Sequence, residues 1–385
     1  MKILMVNDYK YEIAGTEIYL FTIMDSLKKN GHEVRLFASE VSAREYFSIS
    51  YNKSFVKYMQ RIFSLKYYLK FRKILREFEP DIIHIHNVYN EITPSILCNI
   101  KHKAILMTVH GSQMVSPVSM QTERTGKMCK ETICEGCINC VGWKGYLYEK
   151  VKKSVYRKLL QNITIYISPS NYLKSILEEK QYLPVIRIYN GIKLLKYSKI
   201  KDTKNLLYVG RLTKEKGLDV LLNAIKKLTK TIPEIHLMIV GEGNYSTNIL
   251  NTIKDNNLQN NILVKGSISR KLIQTYYDNS VLLIIPSIYP DNLPTVGLEA
   301  LSVGRPIIGS NIGGISEIIK NNETGIVVSP GDAGEIANGV IKIIHNKKKL
   351  QQMNREAREY AEKQFDIKNH TRQLELLYDN LLKKI

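Results

Sequence analysis

Arg211, Lys216 and Glu299 are the side chains whose type and placement point most directly to chemistry. Arg211 and Lys216 stand in Leu207-Tyr208-Val209-Gly210-Arg211-Leu212-Thr213-Lys214-Glu215-Lys216-Gly217-Leu218-Asp219, where a β-rich run meets a glycine, a cationic loop and a second glycine that opens a helical pattern. Ligands of open α/β sheets bind at the carboxyl ends of strands, and two fixed cations there suit a diphosphate. Solvated loop charges would look the same in this stretch alone. A second stretch, Pro286 to Pro306, follows a strand with a proline-punctuated loop and starts a helix at Pro294 or Thr295. The unpaired N–H groups and dipole of that helix start favour an anion. Asp291 lies in the loop and Glu299 one turn into the helix. Carboxylates repel phosphate, so their better use is to accept from sugar hydroxyls, one carboxylate serving a ribose diol. A surface glutamate is the plain alternative for Glu299.

Strands and helices must hold these loops. In the first half, short β-rich runs fall at Lys2 to Val6, Glu33 to Ala38, Ile82 to His86, Ala104 to Val109, Ile163 to Ile167 and Val185 to Ile188. After Asn190-Gly191 and the Lys-rich stretch from Lys193 to Lys204 comes a second series: Asn205 to Val209, His236 to Val240, Ile262 to Lys265, Val281 to Ile285, Pro306 to Gly309 and Gly325 to Val328. Helical patterns lie between them, the signature of parallel sheets built from βαβ units. The expected fold is α/β, with two Rossmann-like doubly wound domains over 1–190 and 191–365, facing across a cleft. Leu374, Leu377, Tyr378 and Leu381 give the segment 366–385 a helical apolar stripe that needs a surface, and the N-terminal domain is a candidate.

Three stretches and one recurrent pair of acids carry a family resemblance. Gly210-Arg211 to Lys216-Gly217, Val240-Gly241-Glu242-Gly243, and Asp291 to Pro306 continuing through Gly313-Gly314-Ile315-Ser316-Glu317 resemble the retaining glycosyltransferases of family 4, whose fold is called GT-B. Members keep two acidic residues eight positions apart, here Asp291 and Glu299; the first is usually Glu, one methylene longer than Asp291. The resemblance implies that Glu299 binds ribose hydroxyls, Asp291 contacts the donor sugar, Arg211 with Lys216 holds the diphosphate, and the amides of Thr295 and Val296 complete the phosphate site. Of the family's Gly-Gly-x-Glu loop, Ala14-Gly15-Thr16-Glu17 keeps the second glycine, and Gly15 is the expected point of close backbone approach. His110 in Thr108-Val109-His110-Gly111 matches the histidine that faces the donor sugar, whereas His84 and His86 read as fold support.

The implied activity is retaining transfer of a sugar from a nucleotide-diphosphate donor to a saccharide or lipid-linked acceptor, as in cell-envelope or capsular polysaccharide assembly. No nucleophile for a covalent intermediate is evident, and the resemblance favours attack on the face that the diphosphate leaves. Arg211, Lys216 and a helix start would stabilise the leaving diphosphate, so no catalytic metal is required.

The chain of 385 residues carries a formal charge of +20 and is 44% hydrophobic. Such a charge fits nucleic acid, anionic lipid or an anionic substrate. The cations spread over both halves with no nucleic-acid-binding module, so no nucleic-acid partner is expected. Eight Lys or Arg and no acid fall between Lys53 and Arg76, interleaved with Phe55, Tyr58, Met59, Ile62, Phe63, Leu65, Tyr68 and Leu69. That pattern fits an amphipathic helix on an anionic membrane surface, or a helix packed on the core with its Lys in water. The first strand turns polar at Asn7-Asp8, without a signal peptide's apolar run, so a cytoplasmic location, peripheral at the membrane, is the expectation.

Cys129, Cys134, Cys137 and Cys140 fall in a glycine-containing loop over 126–142 with C-x4-C-x2-C-x2-C spacing, and Cys98 stands apart. Four close thiols suit a structural zinc; an iron-sulfur cluster and unliganded thiols are the rivals. The first strand is followed by Asn7-Asp8-Tyr9-Lys10 in place of G-x-G-x-x-G, which argues against a nicotinamide oxidoreductase. A nucleotide-sugar epimerase, a donor-binding protein without transferase activity, and a basic nucleic-acid-binding protein with a zinc site are the remaining alternatives.

Overall fold

Twelve strands form among the described residues, each overlapping one of the runs above, and they fill two six-stranded sheets. The computed structural model describes residues 1–12, 15–40, 55–102, 104–111, 114 and 138–384. The first compact unit is Met1–Tyr189 with His370–Ile385, and the second is Asn190–Asn369.

In the first unit the strands are β1 (Lys2–Tyr9), β2 (Glu33–Ser39), β3 (Ile82–Ile85), β4 (Ile105–Thr108), β5 (Ile165–Ser168) and β6 (Val185–Arg187). They run in the order β2-β1-β3-β4-β5-β6, every neighbouring pair parallel. Helices cover a parallel sheet on both faces, so its strands are apolar throughout: Ile3 to Val6, Ile82 to Ile85 and Ile105 to Thr108 are all buried. The helices are α1 (Gly15–Lys29), α2 (Phe55–Ile62), α3 (Leu65–Phe78), α4 (Ile138–Leu160, kinked at Gly142) and α5 (Asn171–Glu179).

The second unit repeats the plan with β7 (Asn205–Val209), β8 (His236–Val240), β9 (Ile262–Val264), β10 (Leu282–Ile285), β11 (Ile307–Ser310) and β12 (Gly325–Val328) in the order β12-β11-β10-β7-β8-β9. Helices α6 (Leu218–Leu228), α7 (Ser246–Asp255), α8 (Ile273–Asp278), α9 (Thr295–Val303), α10 (Ala333–Ile344) and α11 (Lys347–Gln364) complete it. Its core joins Leu206, Ile239 and Ile284 of the sheet to Leu221, Ile225 and Val340 of the helices.

The last helix, α12 (Ile367–Leu382), belongs largely to the first unit. Its buried stripe is His370, Leu374, Tyr378 and Leu381. Tyr378 reaches the His84 ring at 2.6 Å, Thr371 pairs with Ser26, and Glu375 takes Asn30 and His32. The second unit therefore runs to Asn369, four residues beyond the boundary expected at 365.

Candidate functional site

A doubly wound sheet leaves a crevice where successive crossovers depart in opposite directions, because the loops on either side splay apart. In the second unit that point lies between β7 and β10, which are adjacent in the sheet but followed by loops to opposite flanks. The two stretches singled out from sequence are the loops leaving these two strands.

The loop after β7 is pinned to the loop after β10. Gly217 adopts φ 71°, and a Cβ there would stand 1.9 Å from the Pro286 carbonyl oxygen, so the close approach needs glycine. The Ile288 amide donates to the Glu215 carbonyl at 3.1 Å. The result brings Lys216 and Asp291 together: the Lys216 ammonium is ion-paired to Asp291 Oδ1, with both side chains less than one-fifth exposed. Ser287 Oγ donates to Asp291 Oδ2 at 3.0 Å. Gly313, at φ 59°, lies against the Asp291 backbone, and the Gly314 amide donates to the Asp291 carbonyl. Asp291 thus holds Lys216 in place while its own orientation is set by Ser287 and the glycine pair. Arg211 follows β7 with its side chain exposed.

Helix α9 starts at Thr295, with no side chain capping it, and Thr295 and Val296 are half-buried in its first turn. A turn later Glu299 is drawn inward. Burial raises the Glu299 carboxyl above its usual range, opposed by Arg270, whose guanidinium stands 3.8 Å away, and by the Tyr277 hydroxyl. Tyr277 donates to Glu299 Oε2 at 3.2 Å and lies 3.0 Å from the Val296 carbonyl, so one hydroxyl spans the helix start and the carboxylate. The Tyr277 carbonyl in turn accepts from Arg305 Nε at 2.8 Å. Arg305 is wholly buried and also binds Ser198; burial lowers it to about 10, so it stays cationic at neutral pH.

In the first unit the corresponding crevice lies between β1 and β3. Asp8, at the end of β1, is fully buried and accepts from the amides of Tyr89, Asn90 and Ile92 and from Asn90 Nδ2. Burial pushes it up to about 7, and those donors oppose the rise. Gly15 is the exposed first residue of α1. His110, half-buried just beyond β4, is one of a line of stacked imidazoles: His84 to His86 at 4.4 Å and His86 to His110 at 5.3 Å between centroids. The Tyr19 ring meets His110 edge-on at 5.2 Å, and its hydroxyl pairs with His370 at 2.7 Å. Burial holds His110 and His84 down at about 3 and His370 at about 4, so the array is neutral.

His86 sits in the middle of this line. Its Nδ1 stands 3.0 Å from His110 Nε2, while its Nε2 is buried without a partner. A buried N–H without an acceptor costs more than an idle lone pair. His86 therefore carries its proton on Nδ1 and donates to His110, which leaves His110 protonated on Nδ1. His86, buried in the core, thus also makes a direct contact with His110.

Tyr277, Arg270, Ser287 and Arg305 were not found from sequence. Arg305 alone left a trace, as a charge between Gly304 and a buried strand. Cys129, Cys134, Cys137 and the side chain of Cys140 lie outside the described residues. Among those described, no cluster of three potential metal ligands occurs, and no helix is long and apolar enough to cross a membrane.

Known proteins share the fold described above. Residues 13–194 match the family described as Glycosyltransferase Family 4, and residues 194–360 match Glycosyl transferases group 1. A 2-deoxystreptamine N-acetyl-D-glucosaminyltransferase of Niallia circulans is 33% identical over 143 residues, 37% of this chain and 36% of that one. An uncharacterized glycosyltransferase of Methanocaldococcus jannaschii is 24% identical over 89% of both chains. Among solved structures, a sucrose-phosphate synthase from Thermosynechococcus elongatus superposes with a TM-score of 0.76 at 18% identity, covering 100% of both chains. Anabaena HepE, solved with UDP, gives 0.72 at 16% identity over 99% of this chain and 100% of that one. HepE has also been solved with UDP-glucose. The chain is a glycosyltransferase enzyme of the family 4 type, built on the GT-B fold.

Proposed function

We propose that this enzyme transfers a sugar, with retention, from a nucleotide-diphosphate donor to a saccharide or lipid-linked acceptor in cell-envelope or capsular polysaccharide assembly. The observation that carries the donor reading is the Lys216–Asp291 ion pair at the β7/β10 crevice, beside the uncapped start of α9. Arg211, Lys216 and the Thr295 and Val296 amides are assigned to the diphosphate, where they stabilise the charge that grows as the glycosidic bond breaks. Glu299 accepts from the ribose hydroxyls, and Asp291 from the donor sugar with lone pairs that Lys216 and Ser287 leave over. Gly15 and His110 are assigned to the phosphate and sugar respectively, His110 as a donor through Nδ1. That HepE binds UDP and UDP-glucose supports a uridine nucleotide as the first donor to try.

No catalytic metal enters this scheme, because the cations and the helix start neutralise the leaving group. A structural zinc on Cys129, Cys134, Cys137 and Cys140 remains part of the proposal; elemental analysis finding less than one equivalent of metal would reject it. The basic stretch from Lys53 to Arg76 favours work at the cytoplasmic face of an anionic membrane. The test is nucleotide release: with the correct donor and acceptor, free nucleoside diphosphate appears only when both are present. Arg211→Ala and Lys216→Ala are expected to lower turnover roughly a hundredfold or more while the protein stays folded. Unchanged turnover in either variant sinks the assignment.

A further inference from the structure

Between β9 and β10 the chain forms one α-helix, α8, whose six residues span roughly 9 Å. So short a helix leaves part of the sheet bare. Leu207, Met238 and Leu263 stand in register across β7, β8 and β9 and so share one face. The other face is covered, with Leu206, Leu237 and Ile262 packed against α6, α7 and α10. Along the Leu207 row exposure climbs from 0% at Leu207 to 49% at Leu263, and Met238 between them is half-buried. A groove of about 580 Å³ opens there, walled by Asn205, by Thr275 and Tyr276 of α8, and by the loop from Gln259 to Asn261. Its volume lies within the range of small-molecule pockets, roughly 300 to 1,000 Å³. Asn205 and His236, which line it, begin β7 and β8, whereas Lys216 and Asp291 stand in loops that leave the carboxyl ends of β7 and β10. The groove is therefore at the opposite end of the sheet from the donor crevice.

Among the described residues the lining holds no Asp, Glu, Lys or Arg, in a chain of which 24% is charged. A phosphate or a metal ion would find no counter-charge there. What the wall offers is amides, hydroxyls, one imidazole and apolar surface. Gln259 and Asn260 make no side-chain hydrogen bond with the described protein, and each amide can both donate and accept. Asn205 and Asn261 give their amide N–H groups to the carbonyls of Asn279, Pro233 and Ile235, which keeps each Oδ1 as an acceptor. Asn279 is committed to Lys201 and the Thr275 carbonyl. A pyranose has the matching composition: a C–H face that packs on an aromatic ring or an aliphatic floor, and a rim of hydroxyls that donate and accept. A nucleobase would want two flat walls, and this groove has the one tyrosine ring. We propose that the groove binds an uncharged saccharide, with Tyr276, Met238 and Leu263 against its C–H face and Gln259, Asn260 and Asn261 on its hydroxyls. The inference goes beyond the donor and acceptor assignments and does not rest on them.

Isothermal calorimetry on the full-length protein tests this with maltotriose, cellotriose and triacetylchitotriose, uncharged chains that differ in linkage and N-acetylation. At least one is expected to bind. Tyr276→Ala should weaken that binding roughly tenfold, and Gln259→Ala with Asn260→Ala roughly fivefold or more. Gln259 and Asn260 are exposed, so the unfolding midpoint of the double variant should match the parent. The donor assignment is read separately, from UDP, whose affinity both variants should leave unchanged. No heat with any of the three sugars would overturn the proposal, and so would binding that survives both variants and therefore lies elsewhere. Uridine or adenosine bound in their place, with Tyr276→Ala abolishing it, would overturn it in favour of a base. A dimer in sedimentation velocity that the double variant dissolves would overturn it in favour of a second copy of the chain.

Discussion

Acid should open the first unit before it affects the second. Four histidines, His84, His86, His110 and His370, are held neutral by burial: His84 and His110 at about 3, His370 at about 4, and His86 well below its ordinary value. In the unfolded chain each would titrate near 6.5. The folded state therefore binds fewer protons than the unfolded state below that pH. The stability they contribute is complete above about 6.5 and is lost as pH falls toward the folded values. Between pH 6.5 and roughly 5.5 each histidine costs about 1 kcal/mol, or about 4 kcal/mol for the set. Asp8 acts in the opposite sense, since a carboxyl raised to about 7 gains stability as it takes up its proton. Over the same interval it returns about 1 kcal/mol, leaving a net loss near 3 kcal/mol.

Hydrogen exchange reads this unit by unit. The amides of β1, β3 and β4 should lose protection steeply across that interval, while those of β7 and β10 change far less. His110→Asn should remove about a quarter of the histidine contribution. Equal protection of β1, β3 and β4 at both pH values would refute the reasoning, because the imidazoles would then be charged or solvated in the folded protein.

Further outcomes follow from single contacts. Tyr277→Phe deletes the hydroxyl shared by Glu299 and the Val296 carbonyl and should raise the donor KM roughly fivefold to tenfold with little change in kcat, measured by nucleotide release. Donor affinity should fall as pH drops toward the raised Glu299 value, above the usual carboxylate range, because the ribose contact proposed for Glu299 needs the ionised form; Glu299→Gln should bind weakly at every pH. Gly217→Ala drives a methyl group into the Pro286 carbonyl and should destabilise the loop by about 2 kcal/mol or more, with loss of transfer. His86→Leu should lower kcat/KM roughly tenfold by freeing the His110 tautomer, and His86→Asn, which keeps a donor near the Nδ1 position, should restore most of it.

Much of the fold was legible because parallel strands buried on both faces read as short apolar runs, and each of the twelve strands overlaps one. The cations at 211 and 216 were legible for a related reason: a loop closing a strand at a crossover point needs glycines at its ends, and Gly210 and Gly217 frame it. What escaped was contact between elements distant in sequence. Tyr277 and Glu299 are separated by 22 positions, and His84 and Tyr378 by 294, so no local spacing records either pair. His86 shows the limit most sharply. A histidine ending a buried strand has the same local pattern whether it fills the core or hands a proton position to a neighbour. Only the 3.0 Å approach of His110, together with an Nε2 that meets nothing, separates the two. The same holds for α4, where the sequence places cations and apolar residues at helical spacing but cannot say which row meets the sheet. The structure turns Tyr156 and Leu160 inward and leaves Trp143, Leu147 and Val151 outside. Residue types thus disclose which chemistry is available, whereas the side of an element they occupy, which decides its use, is set by packing across the whole unit.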